Sequence, residues 1–122
     1  FTSFAKYYGG DLRGWTSPRY MPRIAARYGL DPQQMPFDFT DLGAALAPRP
    51  WMAVAPTRDH NFDVDGVRDV IAATKQVYEF YDAADRLAPR YPDCEHQFPV
   101  SERRAAYDFI LHHLRSNSRK NP

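Results

Sequence analysis

The feature that most constrains the fold is an apolar run between prolines, followed at once by a loop of ionisable residues. The stretch reads APRPWMAVAPTRDHNFD, and its apolar part is residues 51–55, with Pro50 and Pro56 at the two ends. Proline interrupts helices, and a short unbroken apolar run is typical of a strand covered on both faces. The run therefore predicts a buried strand of a parallel sheet.

A long amphipathic helix is predicted directly after the ionisable loop. In residues 64–81, apolar side chains recur at intervals of three and four, and charged side chains fall on the other side. Strand, charged loop and helix form the unit in which open α/β sheets hold ligands, at the carboxyl ends of their strands. Asp59, which lies in that loop, is therefore the first candidate site residue.

The part of the chain before this unit predicts two helices separated by loops. Residues 1–17 are rich in aromatic residues and glycines and predict an irregular segment. Residues 18–28 predict a helix that Gly29 ends, and Thr40 or Asp41 is expected to cap a short helix reaching Leu46.

The part after the long helix predicts a strand, a turn and a closing helix. Residues 87–91 predict a strand at a sheet edge, since Pro89 lacks a backbone donor. Residues 92–98 predict a turn that contains His96. Ser101 is expected to cap the last helix, whose buried stripe is predicted to be Tyr107, Ile110, Leu111 and Leu114, with His112 and His113 at the surface.

Composition indicates one globular domain and excludes some partners. The chain has 122 residues, of which 43% are hydrophobic and 15% aromatic, enough for a packed core. Sixteen basic residues stand against fifteen acidic ones, so the net charge of +1 predicts neither a nucleic acid nor an anionic membrane as partner. No apolar run approaches the roughly 20 residues of a membrane span. A single cysteine, Cys94, excludes a disulfide framework.

The order of these features resembles the α/β-hydrolase superfamily. LAPRPWMAVAPTRD resembles the approach to that family's acid loop, and YPDCEHQFP resembles its histidine loop. Together with FTSFAKYYGGDLRGWTSPRYMPRI and MPFDF, they most resemble dienelactone-hydrolase-like and acetyl-xylan-esterase-like enzymes. The resemblance covers nearly the whole chain but only the C-terminal part of the family's domain. It implies an α/β fold class, with the last strands of a mostly parallel sheet and their flanking helices.

Within that domain the resemblance implies three divisions. Residues 1–40 are expected to form an irregular and helical insert before the penultimate strand. Residues 41–115 are expected to form the strand–helix–strand–helix part, and residues 116–122 a tail.

The resemblance also implies site residues and a reaction. Asp59 matches the acid of a Ser-His-Asp triad and His96 matches its base, in an enzyme that hydrolyses small-molecule carboxylic esters without a metal or organic cofactor. Trp15, Tyr20, Phe62 and Phe98 are expected to wall the substrate pocket, for an acyl or sugar group.

The chain departs from the family in lacking a G-x-S-x-G nucleophile elbow. None of its serines has the flanking glycines of that turn, and Cys94 is too close to His96 for a favourable attack. The serines are Ser3, Ser17, Ser101, Ser116 and Ser118. The resemblance therefore implies a catalytically incomplete chain, whose partner is the N-terminal remainder of the hydrolase domain with the serine upstream.

Other interpretations remain open at this stage. Asp59 alone is compatible with an ordinary turn aspartate, and His96 with an exposed turn histidine. A peptidase of the prolyl-oligopeptidase type shares the same C-terminal order. A non-catalytic derivative is a further alternative, in which an exposed sheet edge pairs with another chain by strand addition.

Overall fold

The computed structural model describes residues 11–118, and it gives the side chains as far as residue 115. The predictions for residues 1–10 and 119–122 lie outside the described residues. The described part is a small α/β unit of two parallel strands with flanking helices. Its main elements are α1 (Arg23–Tyr28), α2 (Phe39–Leu46), β1 (Trp51–Val54), α3 (Val64–Phe80), β2 (Leu87–Arg90) and α4 (Val100–Ser118).

The two strands pair in parallel, and the chain segment that connects them contains α3. Their register places Trp51 opposite Leu87 and Val54 opposite Arg90. The prediction of a parallel strand over residues 51–55 is thus confirmed in direction, although β1 ends at Val54 and is half-buried instead of fully buried. Pro89 lies in β2, which has a described neighbour only on the β1 side, as expected for a strand at a sheet edge.

Helix α2 begins earlier than the sequence predicted, because its capping residue is Asp38. The Asp38 side chain accepts a hydrogen bond from the Phe39 N–H at 2.6 Å, and the Asp41 carboxylate accepts one from the Asp38 N–H at 2.7 Å. The Asp38 side chain also accepts from the backbone N–H of Asp41, so Asp38 and Asp41 each cap the backbone of the other in a capping box. Asp41, expected as a cap, is instead the third helical residue.

Helices α2 and α3 approach closely at a glycine. A Cβ atom at Gly43 would lie 2.2 Å from the Thr74 Oγ1 and 3.1 Å from the Trp51 ring, so a larger side chain does not fit there. On the same face of α3, Tyr78 is fully buried, and its hydroxyl donates to the Arg49 carbonyl at 2.6 Å. These contacts fix the long helix against the segment that leads into β1.

Helix α4 is rotated relative to the prediction. Tyr107, Ile110, Leu111 and Leu114, expected to be buried, are all exposed, with Leu114 at 59%. The buried side chains of α4 are instead Glu102 and His113, so the prediction of a surface position for His113 is also wrong. Glu102 forms a two-pronged ion pair with Arg90 at the end of β2. This charged contact, which hydrophobic periodicity does not detect, holds the Glu102 side of α4 toward β2.

Two other helix boundaries differ from the predictions. α1 begins at Arg23 instead of residue 18, because Ser17 and Tyr20 pair in an antiparallel bridge before it. It ends at Gly29 in a left-handed conformation with φ of 57°, as predicted. α4 begins at Val100, one residue before the predicted cap, and continues through Ser118 into the expected tail. None of the described helices combines the length and apolar character that crossing a membrane requires.

Candidate active site

The parallel pairing brings two loops to the same edge of the sheet. We call residues 55–63, which follow β1, the acid loop, and residues 91–99, which follow β2, the histidine loop. The ladder of backbone hydrogen bonds continues beyond the strands, since the Ala55 N–H donates to the Arg90 carbonyl at 2.9 Å and the Thr57 N–H to the Pro92 carbonyl at 3.0 Å. The two loops therefore leave the sheet side by side.

Asp59 of the acid loop meets His96 of the histidine loop. The His96 Nδ1 lies 2.9 Å from the Asp59 Oδ2. The Asp59 side chain is only 6% exposed, whereas that of His96 is 58% exposed. The second carboxylate oxygen, Oδ1, accepts hydrogen bonds from the N–H groups of Asn61 at 2.7 Å and Phe62 at 3.2 Å. We call Asp59 and His96 the acid–base pair.

The surroundings of Asp59 favour its ionised form. Burial alone would raise the pKa of its carboxyl. The hydrogen bond with His96 and the two backbone N–H groups outweigh burial and hold the pKa below the ordinary value of 3.8. At neutral pH the site therefore contains a buried carboxylate that can only accept hydrogen bonds.

An ionised Asp59 determines which imidazole nitrogen carries the proton. Because the carboxylate accepts, Nδ1 of a neutral His96 must be the donor, and Nε2 then presents a lone pair. No residue that the structure describes forms a hydrogen bond with Nε2. This arrangement can accept a proton at Nε2 and stabilise the resulting imidazolium from the opposite side of the ring.

A cavity of about 960 Å³ adjoins the acid–base pair. Asp59 and His96 both line it, and most of the remaining lining comes from apolar residues of β1, α2, α3 and α4. Among residues 11–115, no serine, threonine or cysteine side chain lines this cavity. The described lining thus contains a base and an acid but no hydroxyl or thiol nucleophile.

Three of the four predicted substrate-binding residues line this cavity: Trp15, Phe62 and Phe98. The Phe62 ring lies 5.8 Å from the His96 ring, between centroids, and tilts by 35° relative to it. Tyr20 is not part of the lining. It lies beside Trp15, with ring centroids 6.3 Å apart.

Sequence reasoning did not identify the backbone groups that hold Asp59. Both come from the two to three residues that follow it, as in a turn in which an aspartate side chain accepts from its own downstream backbone. The sequence DHNF contains the signal for such a turn, and the turn is compatible with both a structural and a functional role for Asp59.

Among the described residues, no group of three or more His, Cys, Asp or Glu side chains is arranged to hold a metal ion.

Comparison with known proteins gives one structural likeness. No protein-family model matches the chain, and no curated protein matches it. Among solved structures, the methylesterase BT1017 is similar, with 31% sequence identity and a TM-score of 0.51. The match covers 60% of this chain and 16% of that chain, so this chain corresponds to a small part of that protein. The likeness supports an esterase-like hydrolase fold.

Proposed function

We propose that this chain supplies the general base and its orienting acid to a serine-dependent hydrolase of carboxylic esters. The observation that carries the proposal is the contact between the Asp59 Oδ2 and the His96 Nδ1 at 2.9 Å. It joins a buried carboxylate to a histidine that lines a large apolar cavity and whose Nε2 has no described hydrogen-bond partner. The resemblance to an esterase-like fold and to the methylesterase agrees with this reaction class.

In the proposed reaction, the His96 Nε2 takes the proton of a serine hydroxyl as its oxygen attacks the ester carbonyl. The carbonyl π electrons move to the oxygen and give a tetrahedral intermediate. Its collapse expels the alcohol, which receives the proton from Nε2. Water then repeats the sequence on the acyl-enzyme and releases the acid. In both halves the Asp59 carboxylate stabilises the imidazolium form of His96.

The nucleophile in this proposal lies outside residues 1–122. The chain has no G-x-S-x-G elbow, and the described cavity lining contains no serine. The N-terminal remainder of a hydrolase domain is the proposed partner, and it would also supply the donors that stabilise the oxyanion. Within the superfamily, the quoted motifs favour the dienelactone-hydrolase-like and acetyl-xylan-esterase-like group.

The proposed substrate is a small-molecule ester held against aromatic rings. Trp15, Phe62 and Phe98 line the cavity, and the apolar surroundings suit an acyl or sugar group. Tyr20 is proposed to support Trp15 from behind, since the two rings are in contact. An ester is preferred to a peptide because the similar solved protein is a methylesterase.

The proposal is tested by turnover of short-chain esters in the protein purified from its own cells, in the assembly that it has there. His96→Ala and Asp59→Ala should each lower kcat by a factor on the order of a thousand or more while the fold is retained. His60→Ala is the matched control, because His60 is an exposed histidine of the same acid loop. It should leave turnover unchanged.

Wild-type turnover in either Ala variant would overturn the assignment of the acid–base pair. A folded protein that hydrolyses no ester in any assembly would instead favour the non-catalytic alternative, in which an exposed sheet edge pairs with another chain. A preference for proline-containing peptides over esters would favour the prolyl-oligopeptidase type.

A further inference from the structure

The backbone contacts between the two loops stop just before the acid–base pair. The Thr57 N–H donates to the Pro92 carbonyl, and the next donor, the Arg58 N–H, reaches the Cys94 carbonyl at 3.1 Å. The acid loop advances by one residue in this step and the histidine loop by two, so regular parallel pairing ends here. Beyond Arg58, side chains alone must hold the two loops in register.

The Arg58 side chain supplies such contacts, and all of them go to Asp93. Its Nε lies 2.8 Å from the Asp93 Oδ1, and its Nη2 donates to the Asp93 carbonyl at 3.2 Å. The Thr57 hydroxyl also donates to the Asp93 Oδ1, at 3.3 Å. Two successive residues of the acid loop thus hold both the side chain and the backbone of one histidine-loop residue.

Arg58 and Asp59 hold the histidine loop in different ways. The Asp59 side chain is buried and lines the cavity, where it binds His96. The Arg58 side chain is 61% exposed, and neither Arg58 nor Asp93 belongs to the cavity lining. A contact made through Arg58 therefore affects a bound substrate only through the placement of the acid–base pair.

We propose that Arg58 and Asp93 are positioning residues, which fix the histidine loop so that the His96 Nδ1 stays within hydrogen-bonding distance of Asp59. This inference rests on the proposed function and adds the contact that maintains the geometry of its acid–base pair. The His96 side chain is more than half exposed, so packing restrains it weakly. The guanidinium suits this role because its planar fork reaches both the carboxylate and the backbone carbonyl of Asp93 in a fixed geometry, whereas an ammonium group makes an undirected contact.

The exposed ion pair is expected to matter for geometry and hardly for stability. Water screens charges that are 61% and 81% exposed, so such pairs stabilise a fold little. A small displacement of a catalytic group, in contrast, lowers turnover strongly. The two effects are separable by experiment.

The first test follows the His96 Nδ1 proton of the full chain by NMR. Arg58→Met should make that proton exchange with water roughly threefold faster, because its hydrogen bond opens more often, and should lower the urea midpoint only slightly. Asp93→Ala should have the same effect, and the double variant should add nothing further. Arg58→Lys should restore the slow exchange only in part. Lys75→Met, which removes an exposed ion pair with Glu79 in α3, is the control and should change neither quantity.

The second test measures ester turnover in the native assembly. Arg58→Met should lower kcat by roughly tenfold to a hundredfold with KM unchanged, since neither Arg58 nor Asp93 reaches the cavity. An unaltered His96 proton in Arg58→Met would overturn the positioning role and leave the proposed function standing. Faster proton exchange in Arg58→Met combined with normal turnover in His96→Ala would support the positioning role of Arg58 and Asp93 and overturn the proposed function.

Discussion

At Asp59, burial and hydrogen bonding have opposite effects on the pKa of the carboxyl. Burial works against its charge, and three hydrogen bonds, one from His96 and two from the backbone, more than compensate. The lowered pKa means that the ionised form of this carboxyl is more stable in the folded state than in the unfolded chain. The same feature that orients His96 therefore also stabilises the fold.

Asp59→Asn should lower stability in a pH-dependent manner. The contribution of Asp59 is present above its unfolded pKa of about 3.8 and is lost as the pH falls through the lower folded value. The variant should therefore be less stable than the wild type by about 1 to 2 kcal/mol at pH 6. The difference should shrink as the pH falls from 5 toward 2. Urea unfolding across this range measures it, and a difference that does not vary with pH would contradict the account.

Thr74 presents a second residue-scale case, because its buried hydroxyl has no hydrogen-bond partner among the described residues. Thr74→Val replaces that hydroxyl by a methyl group of similar shape and should raise the free energy of unfolding by about 1 kcal/mol. Thr74→Ser, which keeps the hydroxyl and removes the methyl group, should instead be less stable than the wild type. Urea unfolding of the two variants distinguishes the effects, and a destabilised Val variant would show that the hydroxyl is satisfied in solution.

At the scale of elements, α4 is joined to β2 by a charged contact. Glu102 is 6% exposed, and the hydrogen bond from Arg90 lowers the pKa of its carboxyl against the opposing effect of burial. The Arg90 side chain is 42% exposed. Water can therefore solvate Arg90 if Glu102 is removed, but it can hardly solvate Glu102 if Arg90 is removed.

Removal of either partner should therefore cost unequal amounts of stability. Arg90→Met leaves a buried carboxylate without its partner and should destabilise by about 2 kcal/mol, whereas Glu102→Gln leaves a guanidinium that water reaches and should destabilise by about 1 kcal/mol. Chemical denaturation at pH 7 measures both. An equal loss in the two variants, or a larger loss in Glu102→Gln, would contradict this view of the contact.

The same helix shows what sequence could and could not predict. The existence of the strands and of α3 followed from apolar runs, periodicity and proline placement, and the resemblance to the α/β-hydrolase superfamily implied that Asp59 and His96 act together. The burial of Glu102 and His113 in α4 was not predicted, because the Arg90–Glu102 contact is not part of an apolar stripe. The backbone donors to Asp59 and the contacts of Arg58 with Asp93 were also missed, since they depend on loop geometry that periodicity does not encode.

At the scale of the whole molecule, several apolar surfaces of the described residues are exposed or border a cavity. The stripe of α4 is exposed, β1 has a described neighbour only on its β2 side, and a large apolar cavity surrounds that strand. These features agree with the proposal that the acid–base pair works together with the rest of a hydrolase domain.

The most direct measurement is the intact mass of the native protein before and after reaction with a fluorophosphonate serine probe, followed by mapping of the adduct. The account predicts one adduct on a serine outside residues 1–122, in the same polypeptide or in one that purifies with it, and loss of that adduct in His96→Ala. A folded 14.1 kDa chain that purifies alone and takes up no probe would contradict the account. So would labelling that persists at the wild-type rate without His96.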